Sequence, residues 1–223
     1  MFRGYLKVST IAIAPQISGA KKLASILACA LVVACSSPNK SPDYSEPSSI
    51  VKRGDSPAAV KAAADQGDVY AMFLMGSGTG HRMGLSQDQS NSYLIKAAEE
   101  KNYFAQSQLI QLYRTGEFGF SKDYKKSIYW AQRVSCDHTS DHNSHLYLAS
   151  LYEGAAYPTA EEKSLVKQDL ALAYAHYELA HNGFLLTTSA ERDALEKRMS
   201  PAELDRAHKL VDQFRNGGCP YGY

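Results

Sequence analysis

The chain has 223 residues, with 24 lysine and arginine residues, 23 aspartate and glutamate residues and a formal net charge of +1. The lysines are dispersed among the acids, whereas a nucleic-acid partner needs a clustered basic face, so no nucleic-acid partner is expected. The length is sufficient for one domain with a sizeable core.

The N-terminal region contains a short apolar run between basic residues and a cysteine. Residues 23–34 are mostly apolar and follow two lysines. This run is shorter than the about 20 residues that a membrane-spanning helix needs, and it is typical of a secretory signal. Its end, VVAC at residues 32–35, resembles the lipobox of bacterial lipoproteins. We therefore expect residues 1–34 to be a lipoprotein signal peptide and Cys35 to carry the lipid; the alternative is that Cys35 is only an apolar residue of the signal.

A stretch rich in proline and serine follows the predicted signal. Residues 35–54 hold few large apolar side chains, which favours a disordered tether. Ser36 follows the cysteine in place of aspartate, which resembles the outer-membrane sorting class of lipoproteins. The expected location is the cell envelope, with the protein lipid-anchored in the outer membrane and facing the periplasm.

Internal repeats begin after the predicted tether. The sequence AAADQGDVYAMFLMG, from Ala62, aligns with KAAEEKNYFAQSQLI, from Lys96, at a period of about 34 residues. Periods of this size are typical of stacked helix pairs, and each pair buries its apolar faces only by stacking. The predicted fold class is therefore all-α, with an α-solenoid over residues 55–216 and a flexible tail over residues 217–223.

The helices can be placed from apolar spacing and from their end signals. Leu109, Leu112 and Tyr113 recur at helical spacing, and Gly116 suits the left-handed turn that ends such a helix. Towards the C-terminus, residues 187–214 indicate two further helices with charged outer faces. A polar-faced pair of this kind is expected to cap the open end of the solenoid.

The N-caps of this terminal pair can be predicted as well. Ser189 and Ser200 are the expected capping residues, and Pro201 suits a first helical turn.

One segment carries a specific family pattern. Residues 104–135, FAQSQLIQLYRTGEFGFSKDYKKSIYWAQRVS, resemble a unit of the Sel1-like repeat family, which is related to tetratricopeptide repeats. The matching residues are Ala105, Leu109, Tyr113, Gly116, Asp123, Lys126 and Trp130. The resemblance covers residues 58–183, although the first copy lacks the tyrosine and the third has an insertion at residues 155–168.

The resemblance implies a right-handed solenoid that acts as a non-catalytic scaffold for other proteins. The expected partners are envelope proteins or peptides, together with the membrane through the lipid anchor. The resemblance implies no cofactor, and the protein is expected to be a monomer.

A histidine-rich segment raises the alternative of a metal site. The sequence CDHTSDHNSH, residues 136–145, places His138, His142 and His145 at spacings that allow one helix face to bind a transition metal such as zinc. The other interpretation is a polar loop in which Asp141 caps the following helix. We predict the polar loop and no metal.

A second alternative is an enzyme acting on cell-wall or β-lactam substrates. Ser164 and Lys167 match the Ser-x-x-Lys motif of penicillin-recognising enzymes, and some Sel1-like proteins have been linked to that chemistry. A serine nucleophile needs a base and an oxyanion site around it. The partner motifs Ser-Asp-Asn and Lys-Thr-Gly do not occur in the sequence. A non-catalytic protein remains the prediction.

Tyrosine is abundant, at 15 residues. Amphipathic aromatic side chains are favoured at protein interfaces, although several tyrosines occupy packing positions of the repeat. Those on the second helix of their units are the expected binding surface: Tyr93, Tyr129, Tyr174 and Tyr177.

Two cysteines remain if Cys29 leaves with the signal and Cys35 carries lipid. They are Cys136, at the end of a predicted helix, and Cys219, in the tail. Thiols in an oxidising envelope tend to be paired, so we expect a disulfide between them. A buried thiol and an intermolecular bond are the alternatives.

Overall fold

The structure is a computed structural model that describes residues 49–52, 54–181 and 186–223, apart from the side chains of residues 186 and 187. The predicted signal peptide, Cys35 and most of the predicted tether lie outside these residues. Within the described ranges, regular structure is entirely helical. None of the described helices is long and apolar enough to cross a membrane.

Eleven α-helices occur in the described ranges. They are α1 Pro57–Asp65, α2 Val69–Leu74, α3 Gly80–Arg82, α4 Gln87–Glu99, α5 Tyr103–Thr115, α6 Tyr124–Asp137, α7 His142–Glu153, α8 Ala160–Ser164, α9 Leu170–Ala180, α10 Leu186–Glu196 and α11 Pro201–Arg215. A π-helical turn, Met75–Thr79, joins α2 to α3.

Helices that are near each other in the chain pack as pairs, with the short helices α3 and α8 in the connections, and each pair packs on the next. Helices α2 and α4, α5 and α6, and α7 and α9 form three pairs, which are connected by contacts of α4 with α5 and of α6 with α7. Helix α1 covers α2, and α10 and α11 both pack on α9. This arrangement confirms the predicted all-α solenoid and its terminal helix pair.

Local signals explain where these helices begin and end. The side chains of Asp123, Asp141 and Asp169 accept hydrogen bonds from backbone N–H groups in the first turns of α6, α7 and α9. Helices α5 and α7 end at Gly116 and Gly154, whose φ angles of 76° and 77° are left-handed. The predicted caps Asp141 and Gly116 are therefore confirmed.

The first helix of the first pair is interrupted. Gly78, in the π-helical turn, has a φ of 137°. This angle is outside the helical range, and glycine adopts it far more readily than other residues. A Cβ atom on Gly76 would lie 2.6 Å from the backbone nitrogen of Leu94, so glycine is required where this turn crosses α4. The repeat that lacks the family's tyrosine is thus also the repeat whose first helix is broken.

Two predicted boundaries are wrong. Ser49 and the backbone N–H of Ile50 both donate to the carboxylate of Asp68, which also caps α2, so the end of the predicted tether is anchored to the fold. Ser189 lies inside α10 and is not its N-cap, because α10 begins at Leu186. Ser200 does cap α11 in a reciprocal capping box.

The C-terminal tail is ordered, which contradicts the predicted flexible tail at residues 217–223. Cys219 forms a disulfide with Cys136 at the end of α6, with Cα atoms 5.3 Å apart. Beyond it, the ring of Tyr221 stacks with His176 of α9, and the hydroxyl of Tyr223 donates to the side-chain amide oxygen of Gln132. The tail is thus held by one covalent bond and by contacts with residues that are distant in sequence.

A chain of hydrogen bonds runs from the tail into the core. The backbone oxygen of Thr139 can only accept, so Nε2 of His145 donates to it and Nδ1 of the neutral His145 ring accepts. Nδ1 of His176 donates to that atom across 2.7 Å. The remaining nitrogen of His176 then accepts from the hydroxyl of Tyr221. Each bond fixes the next, so both rings are neutral with one defined tautomer.

Burial disfavours the charged form of both rings. It lowers the pKa of His145 to about 4, and it lowers the pKa of His176 well below its usual value, with the neighbouring His145 acting in the same direction.

We expect the disulfide to stabilise the fold. Replacing both cysteines, Cys136→Ser with Cys219→Ser, should lower the free energy of unfolding by about 2 to 4 kcal/mol, because the unfolded chain regains the entropy of a closed loop. Urea unfolding followed by circular dichroism measures the change. Reduction of the unmodified protein should shift the midpoint by a similar amount, and equal midpoints with and without reductant would contradict the prediction.

Stability should fall as the pH is lowered below about 6.5, the ordinary histidine pKa. The folded-state pKa of each buried histidine is lowered, so the unfolded chain binds more protons and stability rises with pH across this window. Between pH 7.5 and pH 5 we expect a loss of at least about 2 kcal/mol. Urea titrations at both pH values measure it.

NMR titration of the folded protein should show the His145 ring neutral down to about pH 4. Free energies of unfolding that are equal at pH 7.5 and pH 5 would show that the buried pair does not control this window.

Candidate functional site

A cleft of about 490 Å³ lies along helices α5 and α7. Tyr157, from the connection between α7 and α8, and Glu191, from α10, also line it. The volume is within the range of ligand-binding clefts in proteins. The first helices of successive pairs therefore form the walls of this site.

The wall of the cleft depends on a carboxylate in the insertion of the third repeat. Glu162 of α8 has no exposed surface. Nε of Arg114 donates to its Oε1 across 2.7 Å, and Tyr147 donates to the same oxygen. The other oxygen, Oε2, accepts from both the backbone N–H and the hydroxyl of Thr159. Four donors thus satisfy this buried charge, which is otherwise costly.

These donors also determine the protonation state of Glu162. Burial raises its pKa, but the hydrogen bonds from Arg114 and Thr159 outweigh burial and the net shift is downward. Glu162 is therefore ionised and forms an ion pair with Arg114.

The guanidinium of Arg114 is occupied on its faces as well. It lies 5.5 Å from the ring centre of Tyr147 and 4.6 Å from that of Tyr157. Such cation–π contacts hold the arginine in place, so its charge is neutralised by Glu162 and its position is fixed by two rings. The insertion was predicted from the sequence, but the contact of its Glu162 with Arg114 was not. The local signal for a structured insertion is the capping box between Thr159 and Glu162.

A second carboxylate lies at the other end of the cleft. Asp141 caps α7 through the backbone N–H of Ser144 and accepts a hydrogen bond of 2.7 Å from the hydroxyl of Tyr103. Tyr103 begins α5, so this bond connects the first helices of two neighbouring pairs. The cap that was predicted from sequence therefore also positions a tyrosine of the cleft.

Uncharged polar side chains complete the lining. Ser107 and Gln111 of α5 face the cleft, as do Asn143 and Ser150 of α7. Hydroxyls and amides of this kind can both donate and accept hydrogen bonds. The lining is therefore suited to groups that need both donors and acceptors, such as a peptide backbone.

Glu191 is the exposed carboxylate of the cleft. Its partial burial, followed by the negative charge of Glu153, raises its pKa. None of the ion pairs among the described residues involves it.

Two of the four tyrosines predicted to form the binding surface are buried. Tyr174 is 7% exposed and Tyr177 is 2% exposed, because α7, α10 and α11 all cover α9. The hydroxyl of Tyr177 donates to Glu153. Both residues stabilise the core, and their assignment to a binding surface is wrong.

The other two predicted tyrosines are more accessible but lie outside this cleft. Tyr93 is half-buried and its hydroxyl bonds to Asp65 of α1. Tyr129 is 38% exposed and packs edge-on against Trp130 and Tyr223. Three tyrosines that the sequence analysis did not select, Tyr103, Tyr147 and Tyr157, line the cleft.

The three histidines considered for a metal do not form a joint site. Both ring nitrogens of His145 are used in hydrogen bonds, and Nε2 of His138 donates to the backbone oxygen of Lys101. No group of three or more metal-binding side chains is found among the described residues. The metal alternative therefore lacks a geometric basis in this part of the chain.

The predicted Ser-x-x-Lys alternative is not supported by the geometry either. Ser164 ends the short helix α8, and its hydroxyl donates to the backbone oxygen of Glu161 across 2.7 Å. In the described structure, that hydroxyl has no hydrogen bond to Lys167. The nucleophile–base contact that this motif requires is not formed.

Comparisons with known proteins relate this fold to solved repeat structures. No family model and no curated protein sequence matches the chain. Among solved structures, c5321, described as a protective antigen of uropathogenic Escherichia coli strains that displays an SLR fold, matches with a TM-score of 0.51 and 21% identity. The match covers 76% of this chain and 34% of the other, so this chain spans about a third of the length of c5321.

A Sel1 repeat protein from Oxalobacter formigenes is also similar, with a TM-score of 0.38 and 20% identity over 72% of this chain and 78% of the other. The stacked helix pairs, their glycine-terminated first helices and the match to c5321 lead to one conclusion. The chain has the fold of the Sel1-like repeat proteins, an α-solenoid of paired helices.

Proposed function

We propose that this protein is a non-catalytic interaction scaffold, anchored by lipid in the cell envelope, whose cleft along α5 and α7 binds a segment of a partner protein. The observation that carries the proposal is the chemistry of the cleft. Its walls present hydroxyls, amides and tyrosine rings, while Arg114 is already occupied by Glu162. These groups recognise a surface and do not form a nucleophile–base pair.

The two-walled form of the cleft suits an extended segment. An extended chain points successive side chains to opposite sides. A segment that lies between α5 and α7 therefore faces both walls along its length. Ser107 and Gln111 on one wall and Asn143 and Ser150 on the other can bond to its backbone.

Tyrosines favour a protein as the occupant. Tyr103, Tyr147 and Tyr157 line the cleft, and each combines an apolar ring with a polar hydroxyl. Such side chains are enriched at protein interfaces. Solenoids of stacked helix pairs also present extended surfaces that are used to bind other proteins.

The proposed location rests on the cysteines. The lipobox-like VVAC at residues 32–35 supports lipid attachment, and Ser36 supports outer-membrane sorting. The disulfide between Cys136 and Cys219 supports an oxidising compartment such as the periplasm.

Photo-crosslinking tests the proposed binding function. The full chain is expressed in a bacterial host with a photoreactive phenylalanine at Gln111, which faces the cleft. We expect adducts with one partner protein, identified by mass spectrometry and bound again by the purified scaffold. The matched control is the same substitution at Lys125, exposed on α6.

The double variant Ser107→Arg with Asn143→Arg places two long side chains in the space between the walls. This variant should therefore abolish the adduct. Equal adducts from Gln111 and Lys125, or binding that survives the blocking variant, would contradict a binding function of the cleft.

Acyl labelling tests the proposed anchor. Cys35→Ala should leave the precursor unprocessed and free of radioactive palmitate, because the cysteine thiol is the site of lipid attachment. Cys29→Ala is the matched control and should be processed and labelled normally. Normal labelling of the Cys35 variant would show that the lipid is attached elsewhere or not at all.

A further inference from the structure

The charges around the cleft are unbalanced. Two carboxylates line it, those of Asp141 and Glu191, together with a single cation, Arg114, and the carboxylate of Glu162 is buried behind that arginine. Glu162 and Arg114 form an ion pair with an oxygen–nitrogen distance of 2.7 Å. After that pair is removed from the count, the cleft retains two negative charges and no positive one.

The two remaining carboxylates have only neutral hydrogen-bond partners or none. Asp141 accepts from the Tyr103 hydroxyl and from the backbone N–H of Ser144, so its charge is solvated but not neutralised. Glu191 lies on α10 and has no ion-pair partner among the described residues. Asp141 is buried in the wall of the cleft, and Glu191 is exposed.

The charge that acts on Glu191 within the fold is negative. Its pKa is raised by partial burial and then by the negative charge of Glu153. Glu153 forms an ion pair with Arg198 and accepts a hydrogen bond from Tyr177. The cation of Arg198 is thus already paired and is not available to Glu191.

Aromatic rings in the same cleft add a second attraction for a positive group. Tyr103 and Tyr157 line it, and Tyr157 is 54% exposed. Tyrosine rings attract lysine and arginine side chains. Within this site the contact of Arg114 with Tyr157, at 4.6 Å, shows such a pairing formed from the chain's own residues.

We propose that the partner of this cleft is an extended peptide segment that carries a lysine or arginine, whose cationic group docks against Glu191. This inference rests on the proposed function and specifies the partner's chemistry. The amides and hydroxyls of the walls hold the peptide backbone, and the carboxylate of Glu191 selects the side chain. Charge complementarity of this kind contributes more to specificity than to affinity alone.

A peptide series tests this inference with the full chain in detergent. The probe is a fluorescent, terminally blocked peptide, Gly-Ser-Ala-Arg-Ala-Ser-Gly, and fluorescence anisotropy measures its binding. In two analogues, citrulline and glutamate replace the arginine. Citrulline keeps the shape and removes the charge, so we expect the arginine peptide to bind at least about tenfold more tightly, as a single well-placed ion pair provides.

Variants of Glu191 locate the effect. Glu191→Gln should remove most of the preference for the arginine peptide, and Glu191→Lys should reverse it in favour of the glutamate peptide. Glu191 is exposed, so both variants should keep the thermal midpoint of the unmodified protein. Glu117→Gln, an exposed carboxylate outside this cleft, is the matched control and should retain the full preference.

The outcomes separate this inference from the proposed function. Equal binding of the arginine and citrulline peptides would overturn the charge selection while leaving the cleft as a binding site. Failure of all three peptides to bind at about 1 mM would also overturn it. Failure of the proposed function is seen separately, as equal crosslinking from Gln111 and Lys125.

Discussion

Helix α9 has almost no face left for solvent, and much of the structure follows from that constraint. Seven of its 11 residues are buried. An amphipathic helix hides one stripe against one neighbour, whereas a helix that is apolar nearly all round must be enclosed. Helices α7, α10 and α11 supply that enclosure. The last repeat and the terminal pair are therefore packed around one shared helix.

Enclosure of α9 also buries polar groups that need partners. His176 obtains them from His145 and Tyr221, and Tyr177 obtains one from Glu153. Because an unsatisfied buried polar group costs several kcal/mol, the position of the tail is coupled to the helix that it satisfies. The disulfide holds the tail where Tyr221 can reach that helix.

The same rule operates at the cleft. Glu162 is buried by the insertion of the third repeat, and its four donors come from α5, α7 and the start of α8. An insertion that interrupts the repeat pattern thus becomes the part that fixes Arg114. The insertion, which departs from the repeat pattern, therefore supplies the buried carboxylate of the ion pair at the site.

Features determined within a few residues were predictable from the sequence, and features determined across the fold were not. The caps Asp141 and Gly116 depend on neighbours within one turn, so their residue types are sufficient signals. The contact of Tyr221 with His176 spans 45 residues and has no local signal. Pairing of Cys136 with Cys219 is an exception, since elimination of the other cysteines indicated it.

The tyrosines show the same division. Periodicity identifies which residues lie on one helix but not how many helices pack around it. Tyr174 and Tyr177 were therefore predicted to lie on a surface, although three other helices cover α9, which carries them. The cleft brings together Tyr103, Tyr147 and Tyr157 from three segments. Only the stacking of the pairs reveals that these residues are close.

The disulfide divides the chain into two mechanical regions. If tension is applied between residue 49 and the C-terminus, the covalent path runs to Cys136, crosses the sulfur–sulfur bond and leaves through Cys219. Helices α7 to α11 lie outside that path and bear no load, while α1 to α6 lie on it. A pulling force therefore extends the first two pairs and leaves the α7 side of the cleft folded.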